Sequence, residues 1–171
     1  MSPSYEIIRP AVQTSPVVVA SPHSGRRYDP AFLQSSALSL AAIRSSEDAF
    51  VDQLVASVPD FGAPLLLAHV PRSYVDLNRA ADEFDPALIH GAAAAHGNPR
   101  IASGLGVIPR VVSGGRAIYN GKLTMDMASA RITDHWRPYH AALRALLDET
   151  LRKFGFVILM DMHSMPDRGG R

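Results

Sequence analysis

Two histidines occupy matching contexts. His23 follows the apolar run 17–20 within Ser21-Pro22-His23-Ser24-Gly25. His163 follows the apolar run 156–160 within Asp161-Met162-His163-Ser164-Met165-Pro166. Short apolar runs of this kind read as strands buried on both faces, as in a parallel sheet. In an open α/β sheet, ligands bind beyond the carboxyl ends of the strands, so two such strands bring two imidazoles to one crevice. Two imidazoles and a carboxylate with an open fourth position form a common catalytic zinc set. The chain has no cysteine. Disulfides and thiolate sites are therefore excluded, and a transition metal has only His and carboxylate ligands available.

The carboxylate comes from Ser45-Ser46-Glu47-Asp48, which reads as a helix N-terminus. Ser45 would cap it and Asp48 would complete a capping-box-like pair. Phe50, Val51, Leu54, Val55 and Val58 then fall on one helical stripe. At about 100° per residue, Glu47 projects near the centre of that stripe and Asp48 near its edge. An inward carboxylate needs a partner, because an unpaired buried charge is costly. A metal ion or an arginine would serve; Glu47 is the favoured third metal ligand beside His23 and His163, and Asp48 the expected cap. Asp161 is placed to accept an imidazole N–H and fix the orientation of the ring.

A second constellation lies in Pro71-Arg72-Ser73-Tyr74-Val75-Asp76-Leu77-Asn78-Arg79. Arg72, Asn78 and Arg79 gather two guanidinium groups and an amide on one short segment. Arginine recognises carboxylates through paired N–H donors, so these side chains suit a dicarboxylate ligand. Arg110 is a further candidate of the same kind. The plainer role for such arginines is a surface ion pair. His140, on the apolar face of its helix, reads as a hydrogen-bonded core residue.

The elements that must position these groups follow from periodicity. Strands are expected at residues 17–20, 65–70, 73–77, 107–112 and 156–160, with an edge strand at 5–8. Gly114-Gly115 signals a hairpin turn toward residues 117–119. A short helix should start at Pro30. The last helix carries Trp136, His140, Leu143, Leu147, Leu151 and Phe154 at three- and four-residue steps and stops at Gly155. Strands alternating with helices predict a three-layer α/β/α fold with a mostly parallel or mixed sheet. At 171 residues, 47% of them hydrophobic, the chain suits one domain over 1–171.

With 17 basic and 16 acidic residues and no long run of one sign, neither nucleic acid nor an anionic membrane is an expected partner. No stretch approaches about 18 consecutive apolar residues, and MSPSYEIIRP lacks the pattern of a signal peptide. A cytoplasmic protein acting on a small molecule is the expectation. The chain ends soon after its last apolar strand. A C-terminally truncated domain is therefore expected, with an open strand edge that would pair with a missing segment or a second copy.

Several stretches, in order, carry a resemblance. They are SPHSG at 21–25, SSEDAFVDQL at 45–54, GAPLL at 62–66, PRSYVDLNR at 71–79, GLGVIPRVV at 104–112, RPYHAAL at 137–143 and DMHSMP at 161–166. Together they resemble the N-formylglutamate amidohydrolase (N-formylglutamate deformylase) family, related in fold to zinc carboxypeptidases and aspartoacylase. The resemblance implies a zinc-exopeptidase-like fold and hydrolysis of N-formyl-L-glutamate to formate and glutamate in histidine degradation. It implies one zinc held by His23, His163 and a carboxylate at Glu47 or Asp48; the facing argument favours Glu47. Zinc carboxypeptidases and aspartoacylase take their first two ligands from a tight HxxE, whereas Glu47 lies well beyond His23. The DLNR at 76–79 matches a segment that binds the substrate carboxylate in aspartoacylase. The general base of the related hydrolases comes from a later region, beyond Arg171. The alternatives are a related zinc hydrolase of another N-acyl amino acid, or a non-catalytic fragment lacking that base.

Overall fold

The computed structural model describes residues 3–93 and 98–165; Pro166, the last residue of the DMHSMP stretch, lies outside them. In chain order the elements are β1 (Tyr5–Ile8), β2 (Val17–Ser21), α1 (Pro30–Ser35), α2 (Leu40–Ile43), α3 (Val51–Leu54), β3 (Leu65–Ala68), α4 (Pro99–Ala102), α5 (Met125–Arg131), α6 (Arg137–Phe154) and β4 (Ile158–Asp161). The strands form one sheet in the order β1-β3-β2-β4. β1 runs antiparallel to β3, while β2 is parallel to both β3 and β4. The sheet is therefore mixed and open, and the fold is α/β.

Alternation along the central strands sorts side chains onto two faces. Val18 and Ala20 of β2, with Leu66 and Ala68 of β3, enter a large core that includes Tyr139, Ala142 and Leu146 of α6. Val19 and Leu65 face the other way, into a smaller cluster with Val55 and Val58. Both faces are thus covered, which is why these strands read as continuous apolar runs.

Three expected strands depart from that picture. Residues 73–77 form turns instead, with the N–H groups of Tyr74 and Val75 both reaching the Pro71 carbonyl. Residues 107–112 contribute only a bridge between Val111 and Ala117, closed by Gly114 and Gly115 at φ 76° and 73°. Val75, Leu77, Val107 and Ile108 are nonetheless buried. Their apolarity reports burial, and Asp76 N donating to Val107 O supplies hydrogen bonding outside the sheet. The third departure is β4. Among the described residues it pairs only with β2, and Ile158, Leu159 and Met160 stay 42–49% exposed. It is an edge strand here, not one buried on both faces.

The helix expected from Ser45 does not form. The chain makes a 3₁₀ turn at Arg44–Ser46, runs extended through Glu47, and places Phe50 at φ 66° before the single turn of α3. Ser45 Oγ donates to Ala42 O and caps nothing. The last helix is present, with its buried stripe one position away from the expected one: Tyr139, Ala142, Leu146 and Thr150. Gly155 closes it at φ 79°, donating to Leu151 O. A π-helical stretch, Ile132–Trp136, joins α5 to α6. Pro138 has no N–H to give the Asp134 carbonyl four residues back, and that carbonyl accepts Ser4 Oγ at 3.0 Å, fastening the N-terminal arm. His140 Nε2 donates to Leu77 O, as expected of a satisfied core residue. No described helix is long and apolar enough to cross a membrane.

Candidate metal centre

His23 lies just past β2, in a loop held at several points. Ser21 and Ser24 share a buried hydroxyl–hydroxyl bond. Gly25 presses against the Val70 carbonyl, where a Cβ would collide with backbone, and Arg27 N donates to His69 O. Gly25→Ala must displace the loop from the His69–Val70 backbone just past β3. It is expected to lower stability by about 1–3 kcal/mol, read as a shifted urea midpoint; an unchanged midpoint would show that the loop gives way freely.

The same loop grips the segment that follows the 3₁₀ turn. Asp48 N donates to His23 O, and Ser24 Oγ donates to Asp48 O. Ser24 Oγ also accepts from Asp52 N. Residues far apart in the chain are therefore joined through their backbones, and the Asp48 side chain is carried to the imidazoles. β4 brings the other ring from the opposite side of β2. Its pairing with β2 aligns Asp161 with Ala20, and the ring centroids of His23 and His163 lie 4.8 Å apart.

At the centre is Asp48 Oδ2. It lies 2.8 Å from His163 Nδ1 and 3.5 Å from His23 Nδ1. His23, Asp48 and His163 each offer a ligand atom within 4.8 Å of the others. The far nitrogens are occupied. His23 Nε2 donates to Asp76 Oδ1 at 2.8 Å, and His163 Nε2 lies 3.0 Å from Asp161 Oδ2. Each ring thus turns Nδ1 toward Asp48, and the buried His23 Nδ1 has no hydrogen-bond partner among the described residues. Two inward ring nitrogens and a carboxylate oxygen need a cation among them, either a proton or a metal. The donor set fits zinc, with Asp76 and Asp161 orienting the rings from behind.

The electrostatics agree. Burial pushes His23 down, but Asp48 and Asp76 outweigh it and hold the imidazole above its ordinary value. Burial pushes both carboxyls up; His23 and His163 outweigh it at Asp48, and His23 with Arg72 outweighs it at Asp76, which falls to about 2.

Glu47 does not join this cluster. Its carboxylate accepts from Tyr28 Oη at 2.7 Å and from Arg44 Nε at 3.0 Å. The facing argument requires a helix through residue 47, and without that helix the neighbouring acid turns to the imidazoles. Asp76, the first residue of the DLNR stretch, is not among the predicted site residues, yet it reaches the cluster through His23. Its signal is an acid inside the apolar run Val75-Asp76-Leu77, which demands a buried partner.

The predicted carboxylate-binding residues are divided. Arg72 Nε donates to Asp76 Oδ2 at 3.1 Å, and Arg72 borders a cleft of about 670 Å³ with Glu47, Asp48, Asp76 and Ser164. Asn78 Nδ2 lies 3.2 Å from His163 Nε2. Arg79 has a buried Nε without a hydrogen bond among the described residues, and its carbonyl accepts from Trp136. Arg110 instead pairs with Asp85 at 2.8 Å, although its neighbours Pro109 and Val111 line the cleft.

Known proteins share this arrangement of chain. N-formylglutamate deformylases of Pseudomonas putida and Pseudomonas aeruginosa are 28% and 27% identical over 152 residues, which is 88% of this chain and 52% of each relative. The chain therefore spans about half the length of these curated relatives. The crystal structure of N-formylglutamate amidohydrolase from Ralstonia eutropha JMP134 superposes with a TM-score of 0.89 at 35% identity, covering 98% of this chain and 59% of that one. A gene product of Agrobacterium tumefaciens, 18% identical with a TM-score of 0.67 over 99% of this chain and 60% of its own, shares the fold. The sequence model of N-formylglutamate amidohydrolase matches residues 15–171, and the chain belongs to the N-formylglutamate amidohydrolase family.

Proposed function

We propose that this chain carries the metal and substrate sites of a zinc-dependent amidohydrolase that converts N-formyl-L-glutamate and water to formate and L-glutamate. The observation that carries this reading is the convergence of His23 Nδ1, Asp48 Oδ2 and His163 on one point beside an arginine-bordered cleft. These three residues are the proposed zinc ligands, with Asp48 in the place that the facing argument gives to Glu47. Zinc held there would polarise the formyl carbonyl and lower the pKa of a bound water.

The chain's own groups bind and orient. Arg72 uses Nε on Asp76, which leaves its Nη edge for a substrate carboxylate. Arg79 and Asn78, on the same segment, are proposed to hold the second carboxylate and the amide. Arg110 acts at one remove, its ion pair with Asp85 anchoring the segment whose neighbours Pro109 and Val111 line the cleft. A role in histidine degradation, from the family resemblance, and a cytoplasmic setting, from the sequence patterning, complete the reading.

The test is formate release from N-formyl-L-glutamate by zinc-loaded and chelator-treated protein, alongside N-acetylglutamate and N-formylaspartate. Where the general base is supplied, turnover of the first substrate alone, lost with the metal, is expected; metal uptake without turnover is the outcome for a fragment that lacks that base. Preference for another acyl group would replace the named substrate. In a complete, active enzyme, Arg79→Ala is expected to raise KM about tenfold or more with a smaller change in kcat, as loss of a charged contact implies; unchanged values of both would remove Arg79 from the substrate site.

A further inference from the structure

Glu47 is a carboxylate whose side chain is only 4% exposed, it borders the cleft beside Asp48, and the proposed chemistry does not use it. Its partners are specific. Tyr28 Oη donates to Oε1 at 2.7 Å. Arg44 donates through Nε to both oxygens, at 3.0 and 3.2 Å, and through Nη2 to Oε2 at 3.2 Å. Arg44 O also accepts from Glu47 N. Burial and the neighbouring carboxylate push the Tyr28 phenol up, so it remains a neutral donor.

These contacts join three parts of the chain. Tyr28 follows the His23 loop and stacks on Phe32 of α1. Arg44 begins the 3₁₀ turn, and Glu47 is the extended residue, φ −67° and ψ 142°, that ends it. The next residue is Asp48. We infer that Tyr28, Glu47 and Arg44 form a brace that sets the direction in which Asp48 enters the imidazole pair, making Glu47 and Tyr28 positioning residues for the metal site. Adjacent acids then divide the work: Asp48 contacts the cation, and Glu47 holds Asp48 in place. The reason is geometric. With Glu47 extended and Phe50 left-handed, no helix fixes residues 47–50, so Asp48 depends on side-chain and loop contacts for its orientation. The His23 loop secures its backbone from one side, and the brace secures the preceding residue from the other.

The inference rests on the metal reading of the same site, so the experiment has one arm with metal and one without. Co²⁺ is titrated into metal-free protein and followed by its visible absorption. The ¹⁵N resonances of the His23 and His163 rings are recorded before any metal is added. Glu47→Ala is expected to weaken Co²⁺ binding about tenfold, as loss of an outer-sphere support does, to alter the absorption band, and to shift both rings in the metal-free protein. Glu47→Gln, which keeps an acceptor for Tyr28, should fall between Glu47→Ala and wild type, and Tyr28→Phe should reproduce part of the effect. Arg9→Ala, which breaks the Arg9–Glu149 pair, should change neither readout. Wild-type affinity and unmoved rings in Glu47→Ala would overturn the brace, as would an effect no larger than that of Arg9→Ala. If wild type takes up no Co²⁺, the metal reading fails and the metal-free rings alone decide: shifted rings uphold the brace, unmoved rings overturn it. Should Glu47→Ala fail to fold, Tyr28→Phe decides between the same outcomes by the same two readouts.

Discussion

Asp48→Asn is expected to bind zinc at least about a hundredfold more weakly than wild type while remaining folded. Removing an outer-sphere partner of a metal ligand already costs roughly 10–100-fold, and Asp48 is the group on which both rings converge. Its Oδ2 stands 2.8 Å from His163 Nδ1 and 3.5 Å from His23 Nδ1. Asparagine keeps the shape and the backbone contacts to His23 O and Ser24 Oγ but loses the negative charge that a dication needs opposite two neutral imidazoles. Glu47→Gln, with the same change one residue earlier, should have a much smaller effect. Zinc measured by elemental analysis after exhaustive dialysis, with affinity from competition against a chelator, separates the two. Equal loss in both variants, or greater loss in Glu47→Gln, would return the ligand role to Glu47.

Asp76→Ala should be the most destabilising change near the site. Asp76 is 2% exposed and serves three donors: His23 Nε2, Arg72 Nε and Asn78 N. Truncating it strands a buried imidazole N–H and a guanidinium, a loss of about 3–5 kcal/mol. Metal affinity should fall by about 10–100-fold as well, because nothing then holds the His23 ring with Nδ1 inward.

The charge of Asp76 gives a pH signature in the metal-free protein. A carboxyl depressed from 3.8 to about 2 in the folded state adds stability that is fully present above pH 3.8 and is lost as pH falls toward 2. The size is roughly 2 kcal/mol, from about 1.4 kcal/mol per pKa unit. His23 works in the opposite sense. Its pKa is raised above 6.5, so its contribution is present below 6.5 and fades as pH climbs through the raised value. Without metal the cluster is thus most stabilising between those limits. Urea midpoints of wild type and Asp76→Asn should draw together between pH 4 and 2. A gap as wide at pH 2 as at pH 7 would mean that the Asp76 charge does not carry the effect.

Much of the centre is legible in the sequence because chemistry and strand grammar coincide at two places. An apolar run followed at once by a polar His-containing turn marks the C-terminal end of a strand, and both runs, 17–20 and 156–160, lead to histidines that meet. The edge strand at residues 5–8, the start of α1 at Pro30 and the stop at Gly155 are equally local: each depends on alternation, a ring-locked φ or a left-handed cap. The family resemblance lies in short ordered motifs that need no fold to be read.

Other features depend on contacts between distant residues. Whether Glu47 or Asp48 faces the rings turns on a helix that local signals favour. Bonds from His23 O and Ser24 Oγ to the Asp48 backbone hold that segment in another conformation, and tertiary bonds of this kind outweigh weak helix propensity. The runs at 73–77 and 107–112 are as apolar as strands but are buried as turns, because the need to exclude water does not specify a partner for the backbone. Asp76 can be suspected from its apolar neighbours, yet its link to His23, 53 residues away, exists only in the folded chain. Sequence by itself determined which chemical groups are present, the family and the ends of the two strands that lead to the histidines. The tertiary structure decided which carboxylate meets the imidazoles and which nitrogen each ring presents, because both depend on hydrogen bonds between residues far apart in the chain.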